Sequence, residues 1–343
     1  MPGTGERAYA YAKACGIIGK SFVGKRVGRL AEVNRLAELD RLVFPQESRD
    51  LPERDLITDM ENRIVQRAVR QIIAIIHSFV KPPELFRTLI RTYEYEDLKT
   101  FCGALAHGEP KRPEFTDIGA FRTVDFSAYP NLEAMIARTE FKFLLQENLR
   151  PDRETEKSEE KIPKDLAVQI ALDRRYYRLL WDNLSKISRS DRSEIGKIIR
   201  DELSLRNAVL ALRMRTYYGM PSEEIREKFI APEDGKKSPA EAALAIPMDH
   251  RAGWKGWKWE RFLNPEKPGE PWRADPRYFQ NAGSKYLYQS ARFSFRRSPS
   301  SLDSLFCFIK LKLFEEDLLT SVAEGLGMGM TSRDIFTLLE VET

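Results

Sequence analysis

The chain has 343 residues, of which 56 are Lys or Arg and 52 are Asp or Glu, giving a formal net charge of +4. This length suffices for two or three domains with a sizeable buried core. The near balance of charge argues against a dedicated nucleic-acid-binding protein, because such proteins usually carry a strong basic excess or stripe. It leaves room for a local basic face.

Cysteine usage and hydropathy indicate a cytoplasmic protein. The sequence lacks an uninterrupted apolar run of about 18 residues, so it predicts no membrane-spanning helix. The opening residues lack the apolar core of a signal peptide. Cys15, Cys102 and Cys307 are odd in number and far apart, which fits a reducing compartment without a disulfide framework.

Helical periodicity recurs along the whole chain. Apolar residues return at spacings of three and four, the pattern of one helix face. The clearest stretches cover residues 61–79, 164–187, 193–220 and 301–328. No stretch shows the alternation typical of a set of strands. The sequence therefore predicts an all-α fold.

Three stretches interrupt the helical pattern. Residues 108–115 carry two prolines among charged residues, and residues 150–165 are highly charged, which predicts a loop or a solvated helix end. Residues 231–276 are dense in Pro, Gly and Trp. This last stretch is too long for an ordinary connector, so we expect an insertion that folds against the helical body.

A glycine-lysine-serine sequence near the N-terminus raises the question of a nucleotide site. Gly19, Lys20 and Ser21 match the end of a phosphate-binding loop, but Ala14 stands where the motif needs its first glycine. The preceding residues are rich in Ala and Tyr and predict a helix, whereas a phosphate-binding loop follows a buried strand. We conclude that this stretch is not a nucleotide site.

The sequence is similar to itself at an offset of 110 residues. Over 25 aligned positions, residues 201–225 share five identities with residues 311–335, namely Leu203 with Leu313, Gly219 with Gly329, Met220 with Met330, Ser222 with Ser332, and Ile225 with Ile335. Helix-opening aspartates keep the same interval, at Asp55, Asp165 and Asp275. Asp is a good helix N-cap. We interpret the chain as three copies of one helical unit.

One polar position is shared by the three copies. Asp97, Asn207 and Asp317 each lie in an apolar helix, at intervals of 110 residues. A buried polar group needs a partner, so each is expected to bond neighbouring backbone or an arginine and fix the packing of its helix. The alternative is that the three line a common central surface that binds a partner.

Several segments resemble the C subunit of the archaeal and bacterial V-type ATPases, which is the counterpart of the eukaryotic d subunit. The similarity lies in the Tyr-Ala helix at 7–22, the Leu-Asp-Arg-Arg-Tyr-Tyr helix at 172–180, the helix and Gly-Met-Pro-Ser turn at 201–225, and the C-terminal helix at 308–328. These segments stand in the family's order. The family more often has Glu-x-Glu-hydrophobe-Arg-Asn where this chain has Phe-Glu-Glu-Asp at 314–317.

The resemblance implies a shape and a role. It implies a funnel of three pseudo-repeated helical subdomains around a pseudo-threefold axis, which we place at residues 1–112, 113–228 and 229–343. It also implies a non-catalytic central-stalk adapter of a rotary ATPase that translocates protons or sodium ions. The implied partners are the rotor axle subunits and the membrane proteolipid ring, with the chain peripheral to the cell membrane and no nucleic acid expected.

Basic residues near the N-terminus have two interpretations. Lys13, Lys20, Lys25, Arg26 and Arg29 cluster within a short stretch. They could form a solvated helix face, or a face that meets an acidic partner surface or lipid headgroups.

A tryptophan-rich stretch supports an alternative function. Residues 250–262 interleave Trp254, Trp257 and Trp259 with basic residues, a pattern found in single-strand nucleic-acid binders. The competing interpretation is that the tryptophans pin the insertion to the helical body.

Reactive chemistry is not indicated by the residue pattern. The three histidines and three cysteines lack the spacing of zinc ligands, and His77 lies in an apolar helix where we expect a core residue. Glu94, Glu96 and Asp97 are close in sequence, but neighbouring helical residues point in different directions. The sequence therefore predicts no catalytic residues, no cofactor and no metal.

Overall fold

The computed structural model describes residues 2–146, 149–151, 164–230 and 238–339. Within these ranges the fold is all-α and contains no strand, which confirms the predicted fold class. The α-helices in these ranges are α1 (Thr4–Lys20), α2 (Leu36–Val43), α3 (Glu53–Ile76), α4 (Glu84–Ile90), α5 (Thr92–Ala106), α6 (Leu132–Ile136), α7 (Lys164–Ser185), α8 (Arg189–Tyr217), α9 (Ser222–Lys228), α10 (Ala242–Ala245), α11 (Pro276–Arg297), α12 (Leu302–Gly327) and α13 (Ser332–Leu339).

Short 3-10 helices occupy several of the connections. They are Val27–Glu32, Gly119–Phe121, Phe126–Ala128, Glu140–Leu145, Pro239–Glu241, Arg251–Trp254 and Glu260–Phe262. The predicted break at 108–115 is a connection without helix. Residues 152–163 and 231–237 belong to the other two predicted breaks and lie outside the described residues.

Helix α3 shows how the sequence pattern produces a packed helix. Glu53 and Asp55 lie in its first turn, where negative charge complements the helix dipole. Its buried face includes Leu56, Met60 and Ile64 at spacings of four residues. The prediction for His77 was wrong, because the helix ends at Ile76 and the histidine caps it with an exposed side chain.

Helix α12 forms the centre of the first of two compact units. This unit combines Met1–Pro83, Ser188–Leu205 and Pro247–Thr343. Residues 302–312 are buried without interruption, and α12 packs against both α3 and α11. A helix segment that is buried on all sides is typical of a protein interior.

The second unit combines Glu84–Ile187 and Arg206–Ile246. Helix α7 packs against α4 and α5 in this unit. The ring of Tyr95 on α5 meets those of Phe141 and Tyr176 edge-on, at centroid distances of 4.8 and 5.3 Å. The Asn183 side-chain amide donates to the Thr88 hydroxyl at 2.8 Å and joins α7 to α4.

Three long helices end in the same kind of turn. Gly108 after α5, Gly219 after α8 and Gly329 after α12 have φ of 64°, 57° and 77°. This left-handed conformation favours glycine, which lacks the Cβ that would clash. After each glycine the next backbone N–H returns to the helix, from Glu109 to the Ala104 carbonyl at 2.9 Å, from Met220 to Met214 at 3.3 Å and from Met330 to Gly325 at 3.0 Å. Gly219 and Gly329 are also 110 residues apart in the sequence, and Gly108 lies one position from the same interval.

Candidate interaction surface

Asp97 holds the chain segment that follows its own helix. On the half-buried face of α5, its Oδ2 accepts from the Thr116 backbone N–H at 2.9 Å, and its Oδ1 accepts from the Thr116 hydroxyl at 3.3 Å. Burial raises the pKa of the Asp97 carboxyl from 3.8 to about 7, against the lowering effect of the two Thr116 bonds. Desolvation therefore outweighs hydrogen bonding at this position.

Asn207 makes an equivalent but neutral clamp in α8. Its side chain is 1% exposed. Its amide nitrogen donates to the Ile230 carbonyl at 2.9 Å, and its amide oxygen accepts from the Ile230 N–H at 3.0 Å. One side chain thus satisfies both backbone groups of a residue beyond α9, which is what a buried amide requires.

Asp317 differs from the other two positions. It lies on an exposed part of α12 in the first unit, whereas Asp97 and Asn207 belong to the second. The side chains of Asp97 and Asn207 form hydrogen bonds with nearby backbone groups. This is what we expect if the position fixes the packing of its helix. The common central surface stays a prediction.

Glu94 is a structural anchor that the sequence pattern did not predict. Its side chain is buried, and its Oε1 accepts from the Val124 N–H at 2.7 Å and from the Thr123 hydroxyl at 3.0 Å. Its Oε2 accepts from Arg91 Nε at 2.8 Å. The Arg91–Glu94 spacing of three residues was the available signal. The exposed Glu96 pairs instead with Lys99 at 2.8 Å, so the neighbouring carboxylates do serve different partners.

The basic residues at the end of α1 divide into structural and exposed groups. Lys13 donates to the Ala74 carbonyl at 2.8 Å, in the last turn of α3. Arg26 donates to the Lys20 carbonyl and covers the Phe22 ring at 4.7 Å. The side chains of Lys20, Lys25 and Arg29 are exposed, and none has a polar partner within the described residues. We call residues 20–29 the basic turn.

A buried ion pair anchors the basic turn to α12. Lys312 and Glu315 are 1% and 2% exposed and form a close ion pair. Glu315 Oε1 accepts from the Phe22 N–H at 2.6 Å, and Lys312 Nζ donates to the Ser21 hydroxyl at 3.1 Å. Burial, together with the positive charge of Arg67, lowers the pKa of Lys312 to about 7.

The end of α1 is a point of attachment to α12. Ser21 follows α1 as its buried C-cap, whereas a phosphate-binding loop would place this residue at a helix start. The rejection of a nucleotide site is therefore consistent with the geometry. A Lys and a Glu three residues apart in α12 were the sequence signal for the anchor.

The tryptophans of the 250–262 stretch pack inward. Trp254, Trp257 and Trp259 are 0%, 8% and 2% exposed. Trp259 Nε1 donates to the Ser204 hydroxyl on α8 at 2.9 Å, and Trp254 Nε1 donates to the Pro247 carbonyl at 3.0 Å. Rings held in this way do not offer the open faces on which bases stack. The nucleic-acid alternative thereby loses its basis, and the tryptophans pin this stretch to the helical body.

Neither a metal site nor a membrane span is found in the parts of the chain that the structure describes. No group of three or more His, Cys, Asp or Glu side chains there is placed to hold a metal ion. No helix there combines the length and the apolar character that crossing a membrane requires.

Comparison with known proteins assigns a family. The sequence model of the ATP synthase (C/AC39) subunit family matches residues 46–336. The chain is also 26% identical over 333 residues to an uncharacterized protein of Treponema pallidum (strain Nichols), covering 94% of this chain and 92% of that relative. The family match extends from the chain just after α2 into α13. The chain therefore belongs to the ATP synthase (C/AC39) subunit family of V-type ATPase subunits.

Proposed function

We propose that the protein is the non-catalytic central-stalk adapter of a rotary V-type ATPase and couples the rotor axle to the membrane proteolipid ring. The family match over residues 46–336 is the observation that carries this proposal. In this role the chain works in the cytoplasm, peripheral to the membrane, and its partners are the axle subunits and the ring. The complex moves protons or sodium ions.

An adapter of this kind must transmit torque with little compliance. Close packing gives protein interiors low compressibility, and α12 provides a helix buried along much of its length. Glu94, Asp97 and Asn207 tie the connections of the second unit to its helices. These side chains therefore support the proposal as stiffening elements rather than as reactive groups.

The repeated helix ends are candidate contact points. Tyr217 and Tyr218 near Gly219 are 56% and 48% exposed, and Met328 beside Gly329 is 78% exposed. Large exposed side chains on rigid helix ends suit protein contacts. The proposal retains three pseudo-repeated subdomains, at 1–112, 113–228 and 229–343, arranged as a funnel.

The basic turn supplies a different type of contact. Lys20, Lys25 and Arg29 are exposed on a segment that the Lys312–Glu315 pair holds in place. Charged groups on a fixed scaffold steer association and set orientation more than they add affinity. We assign this turn to an acidic partner surface.

Affinity purification tests the proposal. A tagged chain is expressed in its own host, membranes are solubilised under mild conditions, and co-purifying proteins are identified by mass spectrometry. The proposal predicts recovery of the axle and proteolipid subunits. Absence of both from cells shown to contain the complex would overturn it, and a Lys20/Lys25/Arg29→Glu triple variant should reduce recovery without affecting folding.

A further inference from the structure

A groove with a volume of about 550 Å³ runs along α11. One wall is a stripe of α11 side chains at helical spacing, and the other is the 3-10 helix Glu260–Phe262. Since a helix rises about 1.5 Å per residue, the stripe from residue 282 to residue 293 extends about 16 Å. The groove is lined by Arg261, Phe262, Ala282, Lys285, Tyr286, Gln289, Ser290 and Phe293.

The floor of the groove is aromatic and fixed. Tyr286 and Phe262 meet with ring centroids 5.5 Å apart. The Tyr286 hydroxyl donates to Asp201 Oδ2 at 2.8 Å, and Lys258 pairs with the other oxygen of Asp201 at 2.8 Å. The Asp201 carboxylate that Tyr286 contacts is therefore already paired with Lys258.

The charged side chains that line the groove are all basic. Its lining residues include Arg261 and Lys285 and no acidic side chain. The guanidinium of Arg261 lies 4.9 Å from the centroid of the Phe262 ring and 5.2 Å from that of Tyr286. Within the described ranges it has no carboxylate partner. A guanidinium held over aromatic rings is well placed to receive a carboxylate with two parallel hydrogen bonds.

An exposed aromatic ring marks one end of the groove. Phe293 is 64% exposed, and Arg297 lies 6.0 Å from its ring centroid. A large exposed ring beside a positive groove offers an apolar anchor point and an electrostatic one within a few helical turns. The combination fits an amphipathic segment better than a purely charged one.

We propose that the α11 groove binds an acidic amphipathic helix of a neighbouring subunit, with a carboxylate on Arg261 and an apolar side chain on Phe293. A nucleic acid fits less well, because it needs several stacking platforms and a track of cations. Phe262 is already stacked on Trp259, with ring centroids 5.4 Å apart. Among the aromatic residues that line the groove, Phe293 is therefore the one whose ring is available to a ligand. The proposal depends on family membership and not on the adapter role.

Binding to a defined peptide tests the proposal on the full chain. The probe is a fluorescein-labelled synthetic helix of about 15 residues, with Glu along one side of a Leu stripe at spacings of three and four. Fluorescence anisotropy should give saturable binding with a Kd of about 10–100 µM. The matched peptide with every Glu replaced by Gln should bind at least about tenfold more weakly.

Variants locate the binding site. Arg261→Glu should weaken binding of the acidic peptide by about tenfold or more, and Phe293→Ala by about threefold to tenfold. Arg138→Glu changes an exposed arginine outside the groove and should leave the Kd within about twofold. Circular dichroism checks that each variant is folded, and Arg261→Gln serves as the neutral second variant.

Three outcomes would overturn the proposal. The first is no saturable binding, or equal binding of the Glu and Gln peptides. The second is an equal effect of Arg261→Glu and Arg138→Glu. The third is tighter binding of an oligothymidylate that Arg261→Glu abolishes, which would assign the groove to nucleic acid.

Discussion

Helices α5 and α8 solve the same structural problem with different side chains. Each ends at a left-handed glycine, Gly108 or Gly219, and each holds the chain that follows through one polar residue. Asn207 pairs with both backbone groups of Ile230, whereas Asp97 can only accept, and does so from Thr116. The amide gives a pH-independent clamp, while the carboxylate adds a charge whose desolvation raises its pKa to about 7.

Asn207→Asp should give the largest effect, because it converts the neutral clamp into a charged one. A carboxylate at this buried position would face the Ile230 carbonyl and lose a donor bond. We expect a loss of about 2–4 kcal/mol in the free energy of unfolding at neutral pH. Urea unfolding measures the loss, and hydrogen exchange at the Ile230 amide should report it locally. A change in the free energy of unfolding below about 0.5 kcal/mol would show that Asn207 does not act as a clamp on Ile230.

Asp97→Asn is the reciprocal substitution and should stabilise the protein at alkaline pH. Since the Asp97 pKa is raised from 3.8 to about 7 on folding, the folded chain binds more protons than the unfolded chain between these values. The contribution of Asp97 to the stability of the wild-type protein is fully present below the pKa of the unfolded state. It is lost as the pH rises through the pKa of the folded state. The variant should be more stable than wild type by about 1–3 kcal/mol near pH 8.

The control for this prediction is the same pair of proteins at lower pH. The advantage of Asp97→Asn should shrink as pH falls toward about 4, because the wild-type carboxyl in the folded state becomes protonated below its pKa of about 7. Parallel stability profiles of wild type and variant from acid to alkaline pH would show that Asp97 does not titrate differently on folding.

Gly108→Ala and Gly219→Ala test the left-handed glycine turn that follows both helices. A Cβ at either position would meet no atom within 4 Å, so only the left-handed backbone resists the change. Each substitution should cost about 1–2 kcal/mol, with the two costs similar. Thermal unfolding of both variants checks this. A large difference between them would mean that the two turns are not equivalent.

Thr116→Val should have the smallest effect. It removes the hydroxyl that donates to Asp97 at 3.3 Å but keeps the backbone N–H at 2.9 Å. We expect a loss of about 0.5–1 kcal/mol, measured by urea unfolding. A loss as large as that of Asn207→Asp would show that the hydroxyl, and not the amide, forms the clamp.

The sequence predicted the helical class because helices follow from periodic spacing, whereas the repeat of three helical units stays a prediction. The apolar face of α3 and the Gly219–Gly329 equivalence are local features that survive in a single sequence. His77 was misplaced because α3 ends at Ile76, three residues before the end of its apolar pattern at residue 79. Glu94 and Glu315 each have a basic residue three positions before them, which was a visible signal. What they anchor was missed because their backbone partners, Val124 and Phe22, are distant in sequence. Backbone partners of this kind carry no residue-type signature.

The most direct test of the adapter role is ATP-driven ion uptake by membrane vesicles from a strain lacking this chain. We expect ion uptake to be lost while the catalytic sector still hydrolyses ATP, and the purified chain to restore uptake. Asn207→Asp and Arg138→Glu chains provide a destabilised and a neutral comparison. Vesicles that transport ions at the wild-type rate without the chain would contradict the proposed adapter role.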